Sequence, residues 1–155
     1  MAEKIGIVVD STADFPPGMV AELGLHVVSI HIVIDGKDYL HDISIDNDRV
    51  IAAMREDREV HTSPPIPSEY SDFLEKLLER YDRLISFHVS RELSNCYTSV
   101  QSAIKLMFDD AADRVFPVDT RKDGIPSQGK VLTCLAQWVL RPMHADETLF
   151  QRHWI

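Results

Sequence analysis

Four short stretches gather hydroxyl and acidic side chains where an apolar run stops. They are Asp10 to Asp14 (DSTAD), His61 to Tyr70 (HTSPPIPSEY), Ser90 to Tyr97 (SRELSNCY) and Val118 to Gly124 (VDTRKDG), and each carries Ser or Thr. Hydroxyls beside the unpaired backbone N–H groups of a helix start make a neutral nest for an anion, reinforced by the helix dipole. The same residue types are the preferred N-caps, and a single hydroxyl before a helix is more often a cap than a ligand contact. In an open α/β sheet ligands bind beyond the carboxyl ends of the strands, and four such turns move the balance toward a ligand only moderately.

Other chemistries have weaker footing. Asp10 could cap a turn, bind a metal or act as a base, but DST lacks the second nearby carboxylate of a magnesium-dependent phosphotransfer site. His26, His31 and His41 are irregularly spaced, which fits packing better than metal ligation. His61 lies beside Thr62, where it could tune an anion site, and His88 reads either as a satisfied core histidine or as a pocket wall. Cys96 sits at a helix start, where the dipole would lower its pKa, but no paired histidine and acid mark it as a nucleophile. Cys96 and Cys134, the two cysteines, lack zinc or redox spacing. The glycines form no phosphate loop of the GxxxxGK type. No metal or cofactor is expected.

The elements that must position these turns follow from periodicity. Ile5 to Val9 is a continuous β-branched run, as expected of a strand buried on both faces. Val27 to Ile34 reads as a second strand, turning at Asp35-Gly36 into a hairpin arm, Lys37 to Leu40. Asp46 to Arg55 predicts a short helix with Val50, Ile51 and Met54 on one side. Pro67 to Arg80 predicts a helix burying Tyr70, Phe73, Leu74, Leu77, Leu78 and, just beyond it, Tyr81. Leu84 to Val89 is a strand, Asn95 to Phe108 a helix with Cys96, Val100, Ala103, Ile104 and Met107 inward, Val115 to Val118 a strand, and Gln128 to Leu140 a last helix. Arg141-Pro142 should interrupt that helix, leaving a tail that ends near Trp154. The alternation argues for an α/β fold: a mostly parallel sheet with flanking helices and an antiparallel hairpin appendage.

With 155 residues, 45% of them hydrophobic, the chain can bury one core, and residues 1–155 read as a single domain. Net charge is −9, with the acids dispersed, which disfavours nucleic-acid binding. The opening apolar run is too short for a signal peptide or a membrane span, so a cytoplasmic protein is expected.

At these same turns the sequence resembles the DegV family of bacterial fatty-acid-binding proteins. IGIVVDSTADFP is similar to the family's opening strand and DSTADLP-type motif, HTSPPIPSEY to its TSQPSP-type loop, and HVSRELSNCYTSVQSA to its ISSxLSGTYQSA-type segment. VFPVDTRKDGIPSQGK corresponds more loosely to its VIDS region. The resemblance runs from Lys4 to about Leu140 and implies an EDD-type α/β domain. It also implies a protein that holds one long-chain fatty acid by its carboxylate and presents it to a separate fatty acid kinase subunit.

By motif position, the resemblance makes Thr62 and Ser94 the head-group hydroxyls, with Ser63 and the amide of Asn95 beside them. Ser11 and Thr12 would shape the floor, and Asp119 with Thr120 the far wall. The family's SGT is SNC here, so Asn95 replaces a glycine that allows close backbone approach and Cys96 replaces a threonine. Pro64 stands where the family tends to have a polar residue. Family members usually carry a second domain that helps enclose the acyl tunnel, and that domain is expected to be absent here, which favours a homodimer covering the exposed apolar face. Two rival readings are an interaction module that kept the fold without its ligand, and a phosphotransfer enzyme using Asp10 and Asp119.

Overall fold

The computed structural model describes residues 3–13, 15 and 18–120. In chain order these form β1 (Ile5–Asp10), a 3-10 turn (Ser11–Ala13), α1 (Met19–Glu22), β2 (Leu25–Val28), β3 (His31–Ile34), β4 (Lys37–Leu40) and α2 (Asn47–Arg55). Then come β5 (Val60–Ser63), α3 (Pro67–Leu78), β6 (Arg83–His88), α4 (Cys96–Ile104), a second 3-10 turn (Asp109–Arg114) and β7 (Val115–Asp119). The helix expected over Gln128 to Leu140, the Arg141-Pro142 break, Cys134 and Trp154 lie outside the described residues.

The expected α/β class is observed. A four-stranded parallel sheet has the order β2-β1-β6-β7, and a separate three-stranded antiparallel sheet has the order β4-β3-β5. β1 lies between two parallel neighbours, so both its faces need apolar cover, and its side chains from Gly6 onward are buried. Val8 points into a core with Tyr70, Leu74 and Leu77 of α3, Leu84 of β6 and Val100 and Ala103 of α4. Ile7 and Val9 point to the opposite face, against Ala13, Leu25 and Phe87.

Gly6 is the tightest point of β1. A Cβ there would come within 2.7 Å of Leu84 Cδ2 and 2.9 Å of the Tyr81 ring. Gly6→Ala is therefore expected to destabilise the fold by about 1–3 kcal/mol through overpacking. A denaturant midpoint lower than that of the unmodified chain, at equal slope, is the result to look for.

The single strand expected over Val27 to Ile34 is two strands in two different sheets. The chain leaves the parallel sheet after Val28, and the backbone N–H of Ile30 donates to Ser11 Oγ at the crossing (3.1 Å). A continuous apolar run cannot reveal that change, because both sheets want the same residue types. The Asp35-Gly36 hairpin forms as read, with both residues at positive φ (49° and 78°), as a two-residue turn of the type that matches strand twist requires. The appendage is larger than a hairpin, because β5 adds on the other side of β3, pairing Ile32 with Thr62 and His31 with Ser63.

Helix α2 is capped by Asp46, whose carboxylate accepts from the Arg49 N–H at 2.9 Å. Its inward face differs from the expected one. Ala53 is buried and Val50 partly buried against Ile30, Ile32, Ile34 and Ile45, whereas Ile51 and Met54 are 44% and 62% exposed. The small Ala53 lets the helix approach the sheet along the Val50–Ala53 line, turning the larger side chains outward.

α3 keeps the expected face, with Tyr70, Leu74, Leu77 and Leu78 buried and Phe73 and Tyr81 packed alongside. Arg114 closes its end by donating to Leu78 O and, just beyond the helix, to Tyr81 O. α4 stops at Ile104 rather than Phe108. Its final turn tightens to three-residue bonds, Leu106 N–H to Ala103 O and Met107 N–H to Ile104 O, and Phe108 leaves in extended backbone, 79% exposed.

Candidate functional site

Because β1, β6 and β7 are parallel, their carboxyl ends lie side by side at one edge of the sheet. That edge brings together Asp10 to Thr12, His88 to Asn95 and Asp119 to Thr120. Register pairs His88 with Asp119, and the Thr120 N–H donates to His88 O (3.1 Å). The fourth stretch arrives differently. Thr62 and Ser63 end β5 of the antiparallel sheet, not a strand of the parallel one. Prolines at 64, 65 and 67 keep the following chain extended until α3 starts at Pro67. The hydroxyl of Ser99, in α4, donates to Pro65 O and ties this loop to that helix.

Between the loop and α4 lies an open cleft of about 390 Å³, lined on one side by Ser63 and the prolines and on the other by Asn95, Thr98 and Ser102. Of the eight residues assigned to the ligand site, Ser63 and Asn95 line this cleft, whereas exposed Thr62 and half-buried Ser94 immediately precede them without lining it. Ser94, half-buried, makes local bonds: its hydroxyl accepts from the Cys96 N–H (3.3 Å) and donates to Cys96 Sγ (3.2 Å). A thiol is a weak acceptor, so the Ser94 hydrogen can turn to a stronger one at little cost.

Asn95 has φ −85°, so the position needs no left-handed backbone and the side chain replacing the family's glycine brings no strain. Asp119 Oδ2 lies 3.2 Å from Arg91 Nε, and Thr120 is half-buried beside it.

Ser11 and Thr12 are occupied structurally. Ser11 is buried and holds the Ile30 N–H at the crossing between sheets. Thr12 gives both its N–H (3.1 Å) and its hydroxyl to Asp10 Oδ1. The other Asp10 oxygen lies 3.3 Å from His88 Nδ1 and 3.4 Å from the Val89 nitrogen. His88 Nε2 is 2.7 Å from Ser86 Oγ, and its Nδ1 is also 3.3 Å from Tyr70 Oη. Asp10, Ser86, His88 and Tyr70 are all essentially inaccessible to solvent.

His88 is therefore a satisfied core histidine, and Asp10 is a buried acceptor that welds the ends of β1 and β6. The sequence reading missed the network they form. Its only signal was an acid and a histidine each ending an apolar strand.

Burial, with the negative Asp10 nearby, holds the Tyr70 hydroxyl well above its ordinary pKa. The same two causes push the Cys96 thiol up to about 12, so burial outweighs the helix dipole that was expected to lower it. Cys96 serves as packing against Ile30 and Ile32. His41 Nε2 is 2.9 Å from Asn47 Oδ1, and exposed His61 is 2.8 Å from Glu59 Oε1. His26, lowered by burial and then by Arg80, meets the Tyr81 hydroxyl at 2.9 Å. Among the described residues, no three His, Cys, Asp or Glu side chains cluster as a metal site would require.

Comparison with known proteins bears on this geometry. The family model described as "Uncharacterised protein, DegV family" matches residues 4–135. A DegV domain-containing protein of Caldanaerobacter subterraneus is 32% identical over 119 residues, covering 77% of this chain and 41% of that one. A DegV domain-containing 15.5 kDa protein of Staphylococcus aureus is 34% identical over 104 residues, covering 66% of this chain and 74% of that one. Among solved structures, that of a DegV family protein from Thermus thermophilus described for its fatty acid binding superposes with TM-score 0.75 at 26% identity, over 93% of this chain and 49% of that one. The chain thus spans less than half the length of the Caldanaerobacter and Thermus proteins.

Proposed function

The chain belongs to the DegV family, and from that premise we propose that it binds a long-chain fatty acid by its carboxylate and presents it to a partner kinase subunit. Residues 1–155 act in this reading as a single DegV-like domain in the cytoplasm. Thr62 and Ser94 supply the head-group hydroxyls, Ser63 and the Asn95 amide lie beside them, Ser11 and Thr12 shape the floor, and Asp119 with Thr120 forms the far wall. The observation that carries the reading is the Ser99–Pro65 tie, which turns the Ser63 loop and the start of α4 toward one cleft. Neutral donors suit this task, because hydroxyl and amide groups bond a carboxylate without demanding a counter-charge that must itself be desolvated.

Affinity in this reading comes from the tail, at about 0.8 kcal/mol per methylene removed from water, so its strength scales with how far the acyl chain is enclosed. A second copy of the chain is proposed as one source of cover. Exposed Ile66, on the cleft wall, and Leu93, in the loop before Ser94, are each 56% exposed and suit such an apolar contact. Against the phosphotransfer alternative stands Asp10, whose two oxygens are engaged in the core. The non-binding alternative is separated by titrating delipidated protein with oleic acid and with methyl oleate. Tight binding of the acid and at least tenfold weaker binding of the ester is the expected pattern, whereas equal affinities would remove the carboxylate site.

A further inference from the structure

We propose that His31 is a proton-operated latch that fastens the β3–β4 hairpin to the start of α3 and thereby holds the loop at residues 63–67 that forms one wall of the cleft. The argument begins with the two ring nitrogens. Nδ1 lies 2.9 Å from Asp38 Oδ2 and 3.1 Å from Oδ1, while Nε2 lies 3.0 Å from Glu69 Oε2. A neutral imidazole carries one N–H and one lone pair, so it can donate to only one of these carboxylates and would set its lone pair against the other. Only the imidazolium donates to both, and His31 neutral means one arm of the latch open.

The arms reach separate elements. Asp38 belongs to β4 and Glu69 to the first turn of α3, and the residue facing His31 from β5 is the uncharged Ser63. Glu69 does double duty, because its Oε2 also accepts the backbone N–H of Ile66 at 3.1 Å. That bond is the reciprocal half of a capping box. Ile66 has no side-chain acceptor to supply the other half, so this end of α3 depends on Glu69. A proton on His31 therefore fixes Glu69, Glu69 fixes Ile66, and Ile66 closes the loop that begins at Ser63.

Partial burial pulls the His31 pKa down, but the hydrogen bonds and charges of Glu69 and Asp38 outweigh it, and the net shift is upward from 6.5. A histidine whose pKa rises on folding contributes stability that is fully present below the unfolded pKa and lost as pH climbs through the folded one. The latch is closed below the ordinary histidine pKa and opens as pH climbs through the raised one. It rests on the ring geometry alone and stands apart from the identity of any ligand.

The test is an NMR titration of the intact, ligand-free chain from pH 5 to 9, following the His31 ring and the amides of Ser63 and Ile66. The expected result is a His31 midpoint above 6.5, with both amides shifting at that same midpoint. Asp38→Asn leaves the Glu69 cap in place and should move the ring midpoint down while the amides still follow it. Glu69→Ala, which removes the acceptor of both His31 and the Ile66 N–H, should lower the midpoint and uncouple Ile66. A His31 midpoint at or below 6.5, or amides that ignore it, overturns the latch.

Discussion

Asp10→Ala is expected to lower the unfolding free energy by about 3–5 kcal/mol, the cost of removing one partner from a buried, hydrogen-bonded pair. The estimate follows from what the carboxylate satisfies. Its oxygens meet the partly buried Thr12 N–H and hydroxyl and the buried His88 ring and Val89 nitrogen. Alanine leaves the His88 and Val89 groups without that acceptor where water cannot replace it, and each orphaned buried group costs about 1–3 kcal/mol. Against a total stability of roughly 5–15 kcal/mol, the loss is large enough to leave much of the protein unfolded at moderate temperature. Asp10→Asn, which keeps one acceptor oxygen and nearly the same shape, should fall between the two. Urea denaturation followed by far-UV circular dichroism gives the comparison, and an alanine variant with an unchanged midpoint would show that the ends of β1 and β6 are held by something else.

The second large effect concerns ligand. Thr62→Ala and Ser94→Ala should each weaken binding of a long-chain fatty acid by roughly ten- to a hundredfold, because a hydrogen bond to a charged group contributes about 1.5–3 kcal/mol. The two variants differ in their side effects. Thr62 is exposed at the end of β5, so its loss should leave stability within about 0.5 kcal/mol. Ser94 also accepts the Cys96 N–H at the start of α4, so its loss should cost about 1 kcal/mol as well. Isothermal titration beside a thermal melt separates the two contributions. Weakened binding in Ser94→Ala alone, in proportion to its lost stability, would mean that the hydroxyl supports the helix and not the carboxylate.

How much of this was legible from residues alone depends on how local each feature is. β1 announced itself through an unbroken β-branched run, because a central parallel strand needs apolar cover on both sides. α3 did so through a strict helical period over Tyr70, Leu74 and Leu77. β5 was missed because it has four residues, three of them exposed, and exists only through its pairing with β3. The passage from β2 to β3 was hidden inside one apolar run, and its marker is a hydrogen bond to Ser11, 19 residues away.

The candidate site shows the same division. The turns rich in Ser and Thr were visible, and the described residues of three of them, Asp10 to Ala13, Ser90 to Asn95 and Asp119 to Thr120, do lie at the carboxyl edge of the parallel sheet. Which hydroxyls are already engaged was not visible. Ser11 and Thr12 satisfy backbone and carboxylate groups, and that assignment depends on where Ile30 and Asp10 end up. The Asp10–His88 pair joins residues 78 apart in sequence, and only the β1–β6 register brings them together. Ile51 and Met54 looked inward by spacing, but helical spacing fixes which residues share a face and leaves open which face the neighbouring sheet accepts.

The central claim is that this chain carries a fatty acid, and native mass spectrometry of the freshly purified protein tests it most directly. After incubation with excess oleic acid and removal of free lipid, the account predicts one acyl chain per protein chain, released on denaturation and recovered as the free acid. Protein whose mass stays that of the bare polypeptide under those conditions would contradict it.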